Sequence, residues 1–154
     1  MKIGGFTMMY YEKGRFSLGA VSFLLPDQVY IDPEYEAEVQ NGFELLDLEK
    51  RYRITIEGEY SEEDSATFLG ETLLEASFHK LGPVEPIQYN GVCGHALCYN
   101  SGRHSYYEAR FDLSEVEGIN CLVVLVKWLK GELEHESILR ERIVRELLGS
   151  LNLV

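Results

Sequence analysis

The chain has 154 residues, 45% of them hydrophobic, which suits one domain with a proper core. Its 26 acidic residues against 14 basic ones give a formal net charge of −12, a surface that repels phosphate backbones and anionic lipid headgroups. Nucleic acid and membrane surfaces are thereby disfavoured, and a basic protein partner, or solubility alone, fits the charge better.

Three cysteines, Cys93, Cys98 and Cys121, are an odd number and too few for a disulfide framework. Residues 1–10 lack a continuous apolar h-region of about 7 residues. The longest apolar run, residues 121–126, falls far short of the ~20 residues that span a bilayer. The expectation is a reduced, soluble, cytoplasmic protein with no membrane insertion and no cofactor.

Without repeats or linker-like stretches, residues 1–154 read as a single domain, with residues 1–15 as a flexible or edge segment. Residues 16–25 read as a first strand that stops at Pro26. Residues 32–38 form an acidic turn and loop. Residues 42–48 and 52–57 read as a hairpin, whose second arm alternates Tyr52, Ile54 and Ile56 against Arg53, Thr55 and Glu57. Ser61 reads as the N-cap of a helix that carries Ala66, Leu69, Leu73, Ala76 and Ser77 as a stripe on one side, ended by Gly82 and Pro83. Phe68 lies off that stripe, as an exposed contact or packed against a neighbouring loop.

Residues 92–99 and 104–111 form a second hairpin with its turn at Asn100–Arg103. Residues 119–128 form a strand apolar on both faces, hence central. A final amphipathic helix buries Leu139, Ile143, Val144, Leu147, Leu148 and Leu151. The order β-β-β-α-β-β-β-α predicts an α+β fold, a mostly antiparallel sheet of about six strands flanked by two main helices.

The second hairpin holds the candidate chemistry. Pairing it about Ser101–Gly102 puts Cys93, His95, Leu97, Tyr99, His104, Tyr106, Glu108 and Arg110 on one face, with His95 opposite Glu108 and Cys93 opposite Arg110. A thiol nucleophile is one reading: Cys93 served by His95, oriented by Glu108, its thiol acidified by Arg110. Against it, strand neighbours at i,i+2 sit roughly 6.5–7 Å apart, loose for a nucleophile–base pair. A metal site in Cys93, His95 and Cys98 is the weaker alternative, because Cys98 points to the opposite face and the spacing fits no zinc knuckle. The favoured reading is a non-catalytic surface of Tyr99, His104, Tyr106 and Arg110, with His95 and Glu108, that binds a protein or peptide.

In element order and short motifs the chain resembles the PsbP-like or DcrB-like α+β fold group. The motifs are Phe23-Leu24-Leu25-Pro26-Asp27 ending the first strand, Tyr89-Asn90-Gly91-Val92 before a long hairpin, and Leu148-Gly149-Ser150-Leu151 at the end. The chain departs from that pattern in having Asp27-Gln28-Val29, with no tryptophan, after Pro26. The group's roles include photosystem assembly, binding a nuclear-transport GTPase and chaperoning secreted effectors. The resemblance therefore implies a binding or adaptor domain, and it transfers no site residue.

Overall fold

The computed structural model describes residues 9–12, 15–18, 21–24, 29–31, 42–47, 52–72, 79–129, 142 and 145–153. Strand dominates them. β1 (Met9–Glu12), β2 (Arg15–Leu18) and β3 (Val21–Leu24) precede β4 (Val29–Ile31), β5 (Gly42–Asp47) and β6 (Tyr52–Glu59). After α1 (Ser65–Thr67), extended by a π turn Phe68–Thr72, come β7 (His79–Lys80), β8 (Glu85–Tyr89), β9 (Val92–Ser101), β10 (His104–Val116) and β11 (Ile119–Leu129). A 3-10 turn Leu148–Ser150 leads into β12 (Asn152–Leu153).

The large antiparallel sheet runs β4-β5-β6-β11-β10-β9-β7, with β8 sharing the outer edge of β9; the small one runs β1-β2-β3-β12. β11 lies between β6 and β10 and is buried on both faces along most of its length, as a central strand should be. Tight turns set the registers. Asn90 and Gly91 both hold positive φ, the geometry of a two-residue hairpin between Tyr89 and Val92. Gly102 (φ 60) opens the turn that joins Ser101 to His104.

One face of the large sheet carries the main core. Ile54, Ile56, Ala109, Phe111, Leu122, Val124 and Trp128 cluster there with Val21 and Phe23 of β3 and with Leu147, Leu148 and Leu151. On the other face a smaller cluster joins Leu97 and Tyr99 of β9 to Leu69 of the π turn, with Phe68, Val84 and Tyr106 packed beside it.

The structure corrects the expected fold class: it is mostly β, in two sheets, and not an α+β sheet flanked by two main helices. Residues 16–25 are not one strand, because β2 and β3 fold back on each other with Phe16 opposite Phe23. The helix begins three residues later than expected, capped by Asp64, whose carboxylate accepts from the Thr67 N–H at 2.7 Å. By His79 the chain is strand again, drawn onto the edge of β9. Residues 73–78, which carry the rest of the expected stripe, lie outside the described residues, as do residues 130–141, 143 and 144 of the final helix. Arg142, Arg145 and Glu146 are helical, but Leu151 has extended backbone where the helix was expected to continue, and Asn152 and Leu153 pair with β3. Among the described residues no helix is long and apolar enough to cross a membrane.

Candidate functional site

The β9–β10 hairpin pairs two residues out of the expected register. Its turn is Gly102–Arg103, so His95 faces Arg110, Leu97 faces Glu108, and Tyr99 faces Tyr106. An even shift preserves the two faces, so the side chains expected together still share one surface while their partners change.

Beneath that surface lies a buried polar network. Glu108 is 5% exposed and Arg110 4%. The Tyr99 hydroxyl donates to Glu108 Oε1 at 2.9 Å, and Arg110 Nη1 donates to Glu108 Oε2 at 3.3 Å. Arg110 Nη2 donates to Glu59 on β6. The Phe68 ring closes the network from above, its centre 3.6 Å from the guanidinium carbon. Burial works against the Arg110 charge, but neighbouring Cys121, Glu59 and Glu108 outweigh it and raise its pKa. Burial, followed by the Glu108 charge, drives the Tyr99 phenol far above its ordinary range. Tyr99 therefore keeps its proton and donates it to Glu108, whose other oxygen accepts from Arg110, an arrangement that holds structure.

A second latch fastens the start of α1. Asp112 accepts from the Ser65 N–H at 2.8 Å and from its hydroxyl at 2.6 Å, while His95 Nδ1 lies 2.8 Å from the same hydroxyl oxygen. The single hydroxyl proton goes to the carboxylate, which cannot donate, so His95 Nδ1 carries the hydrogen and donates to Ser65. This order, histidine to serine to aspartate, keeps His95 from serving as the base that a serine nucleophile takes in a Ser-His-Asp triad.

The thiol-nucleophile constellation is not brought together. Cys93 is exposed, its sulfur contacting the Gly91 carbonyl at 3.8 Å, while His95 Nδ1 is turned to Ser65 and Glu108 to Tyr99 and Arg110. Among the described residues no three His, Cys, Asp or Glu side chains gather as metal ligands.

What remains accessible is the rim. Tyr106, half-buried, stacks on Tyr99 with ring centres 5.0 Å apart at 15°. His104 sits 6.3 Å from the Tyr106 ring, and Lys127 Nζ lies 5.9 Å over it. Of the six residues expected to bind, Tyr99, Glu108 and Arg110 are thus buried supports, while His95, His104 and Tyr106 retain exposure. Sequence reasoning missed Glu59, Ser65, Asp112 and Lys127. The pairing of β11 with β10 and β6 would have revealed Glu59 and Lys127. The off-stripe position of Phe68 was the visible sign that it packs elsewhere, and what it meets is Arg110.

No family model matches the chain, and no curated protein matches it. Among solved structures, the Ran-binding protein Mog1p of Saccharomyces cerevisiae aligns over 88% of this chain and 90% of its own, with TM-score 0.54 and 9% identity. A mutant of protein Mog1 aligns over 88% and 91%, with TM-score 0.54 and 8% identity. At such identity the likeness is one of fold: over most of its length this chain is similar to Mog1p in how its strands are arranged.

Proposed function

We propose that the chain is a non-catalytic binding domain whose partner is another protein. The observation that carries this reading is the fold shared across 88% of the chain with a protein described as Ran-binding. The chemistry of the hairpin face supports it. Glu108 and Arg110 are committed to each other, as are Ser65 and Asp112, and exposed Cys93 has neither His95 nor Glu108 turned toward it. The resemblance to the PsbP-like group, whose roles are mostly non-catalytic, points the same way. Ran is the first partner to try, and a cytoplasmic location belongs to the same reading.

The test is direct. The purified chain is mixed with Ran loaded with GDP or with a non-hydrolysable GTP analogue, and complexes are followed by gel filtration and calorimetry. In parallel, the tagged chain is isolated from its own cells. A stoichiometric complex with Ran, or with another single protein, supports the reading. If Ran is ignored in both nucleotide states, that partner is dropped. A turnover abolished by Cys93→Ser would overturn the non-catalytic reading itself.

A further inference from the structure

On this acidic chain, the register assembles a row of opposite character. Tyr99, Tyr106, Lys127 and Arg53 stand opposite one another across β9, β10, β11 and β6. With strands about 4.8 Å apart, the row is roughly 14 Å long. Arg103 is exposed in the adjoining turn and His104 follows it.

Like charges directly opposite each other destabilise an antiparallel pair, yet Lys127 faces Arg53. Glu44 on β5 answers Arg53 at 2.8 Å. Among the described residues no carboxylate pairs with Lys127 or Arg103. His104 titrates below its ordinary value, held there by partial burial and by the Lys127 and Arg103 charges. Among the described residues, the charges that act on His104 are therefore positive although the whole chain carries −12. Screening over about 8 Å at physiological salt lets those local charges govern what docks.

We infer that this row (Arg53, Lys127, Tyr106, His104 and Arg103) is the docking surface of the protein-binding function, and that it receives an acidic segment of the partner. The inference rests on the protein-binding reading above and adds the surface and the partner's chemistry. Carboxylates reach Lys127 and Arg103, while the Tyr106 ring offers a flat contact held in place by Tyr99, which Glu108 pins from below. The net charge of the chain favours a basic partner; the local arrangement selects an acidic contact.

The experiment titrates octaglutamate, octaglutamine and octalysine peptides into the full chain by calorimetry at low and at physiological salt. Octaglutamate is expected to bind at least tenfold more tightly than the other two, and to weaken as salt rises. The Lys127→Glu, Arg103→Glu double variant is expected to lose at least tenfold in affinity, with an unchanged melting temperature as the check on folding. If that variant does not fold, Lys127→Gln with Arg103→Gln serves in its place. Bound octaglutamate also raises the His104 titration midpoint read by NMR. A preference for octalysine, or octaglutamate binding indifferent to both double variants, overturns the inference. A complex with a whole protein partner that survives the same variants overturns the surface and leaves the protein-binding reading standing. The absence of any protein complex, with octaglutamate still bound, sinks that broader reading instead.

Discussion

At the scale of single residues, Arg110 and Cys121 decide how the hairpin face behaves. Replacing Arg110 with methionine keeps bulk but strands the Glu108 carboxylate, 5% exposed, without its cation. Breaking a buried pair on one side costs about 3–5 kcal/mol. Arg110→Met should lose that much in urea denaturation, and adding Glu108→Gln should recover most of it, because an amide still accepts from Tyr99 without carrying charge. Cys121, 3% exposed, tells a different story from Cys93. Burial pushes its thiol from 9.0 up to about 11; Arg110 opposes the rise, and Glu59 and Asp112 add to it. The unfolded thiol therefore ionises before the folded one. Cys121 contributes stability that is present below pH 9 and lost as pH climbs through about 11, on the order of 2 kcal/mol. The measurement is the difference in unfolding free energy between the chain and Cys121→Ala from pH 8 to 11, which should narrow with rising pH. Iodoacetamide at neutral pH should label exposed Cys93 while sparing Cys121 in the folded chain.

At the scale of elements, the hairpin and the helical segment are held by close approaches. A methyl group at Gly94 would strike the Arg110 carbonyl and stand 2.8 Å from Phe111 Cα, so β9 and β10 pair this closely only because position 94 has no side chain. Gly94→Ala should cost at least 1–3 kcal/mol, the usual penalty for overpacking, read from the urea midpoint. The segment that starts at Ser65 hangs on Asp112. Asp112→Ala removes two hydrogen bonds, should cost about 1–2 kcal/mol, and should raise hydrogen exchange in residues 65–72 while β10 and β11 stay protected. These two elements also show what could be read from sequence. The alternation in Tyr52, Ile54 and Ile56 and the apolar β11 follow from a period of two, so the faces of the sheet were legible. Register was not, because moving the turn centre by one residue shifts every pair by two without changing a face. Asn90-Gly91 is a strong hairpin signal, but β8 before it carries Pro86 and exposed positions, which hide its strand character. The helix from Ser61 had the right composition, yet Asp64 caps it and the edge of β9 captures His79 and Lys80 as strand. Tertiary pairing outweighed local propensity there.

At the scale of the molecule, the two sheets are joined through the end of the chain. β12 pairs with β3, and the Leu24 N–H donates to Ser150 Oγ at 2.8 Å, a contact spanning most of the sequence. The same segment reaches the large sheet: the Asn90 amide donates to the carbonyls of Gly149 and Leu151 at 3.1 and 2.8 Å, and Leu148 and Leu151 enter the main core at 1% exposure each. The apolar spacing of Leu147, Leu148 and Leu151 was read as a helical stripe. Their burial is real, but Leu148 lies in a 3-10 turn and Leu151 in extended chain, because the backbone there must release its hydrogen bonds to β3. Two losses can be separated. Leu151→Ala removes core volume and should cost about 2–5 kcal/mol. Asn90→Gly keeps the positive φ of the turn but deletes both amide bonds, and should cost about 1–2 kcal/mol. If the segment clamps the two sheets as one cooperative unit, both variants lower the urea midpoint with a single transition and an unchanged slope. Two separate transitions in Leu151→Ala, one for each sheet, would show that the clamp is not what makes them unfold together.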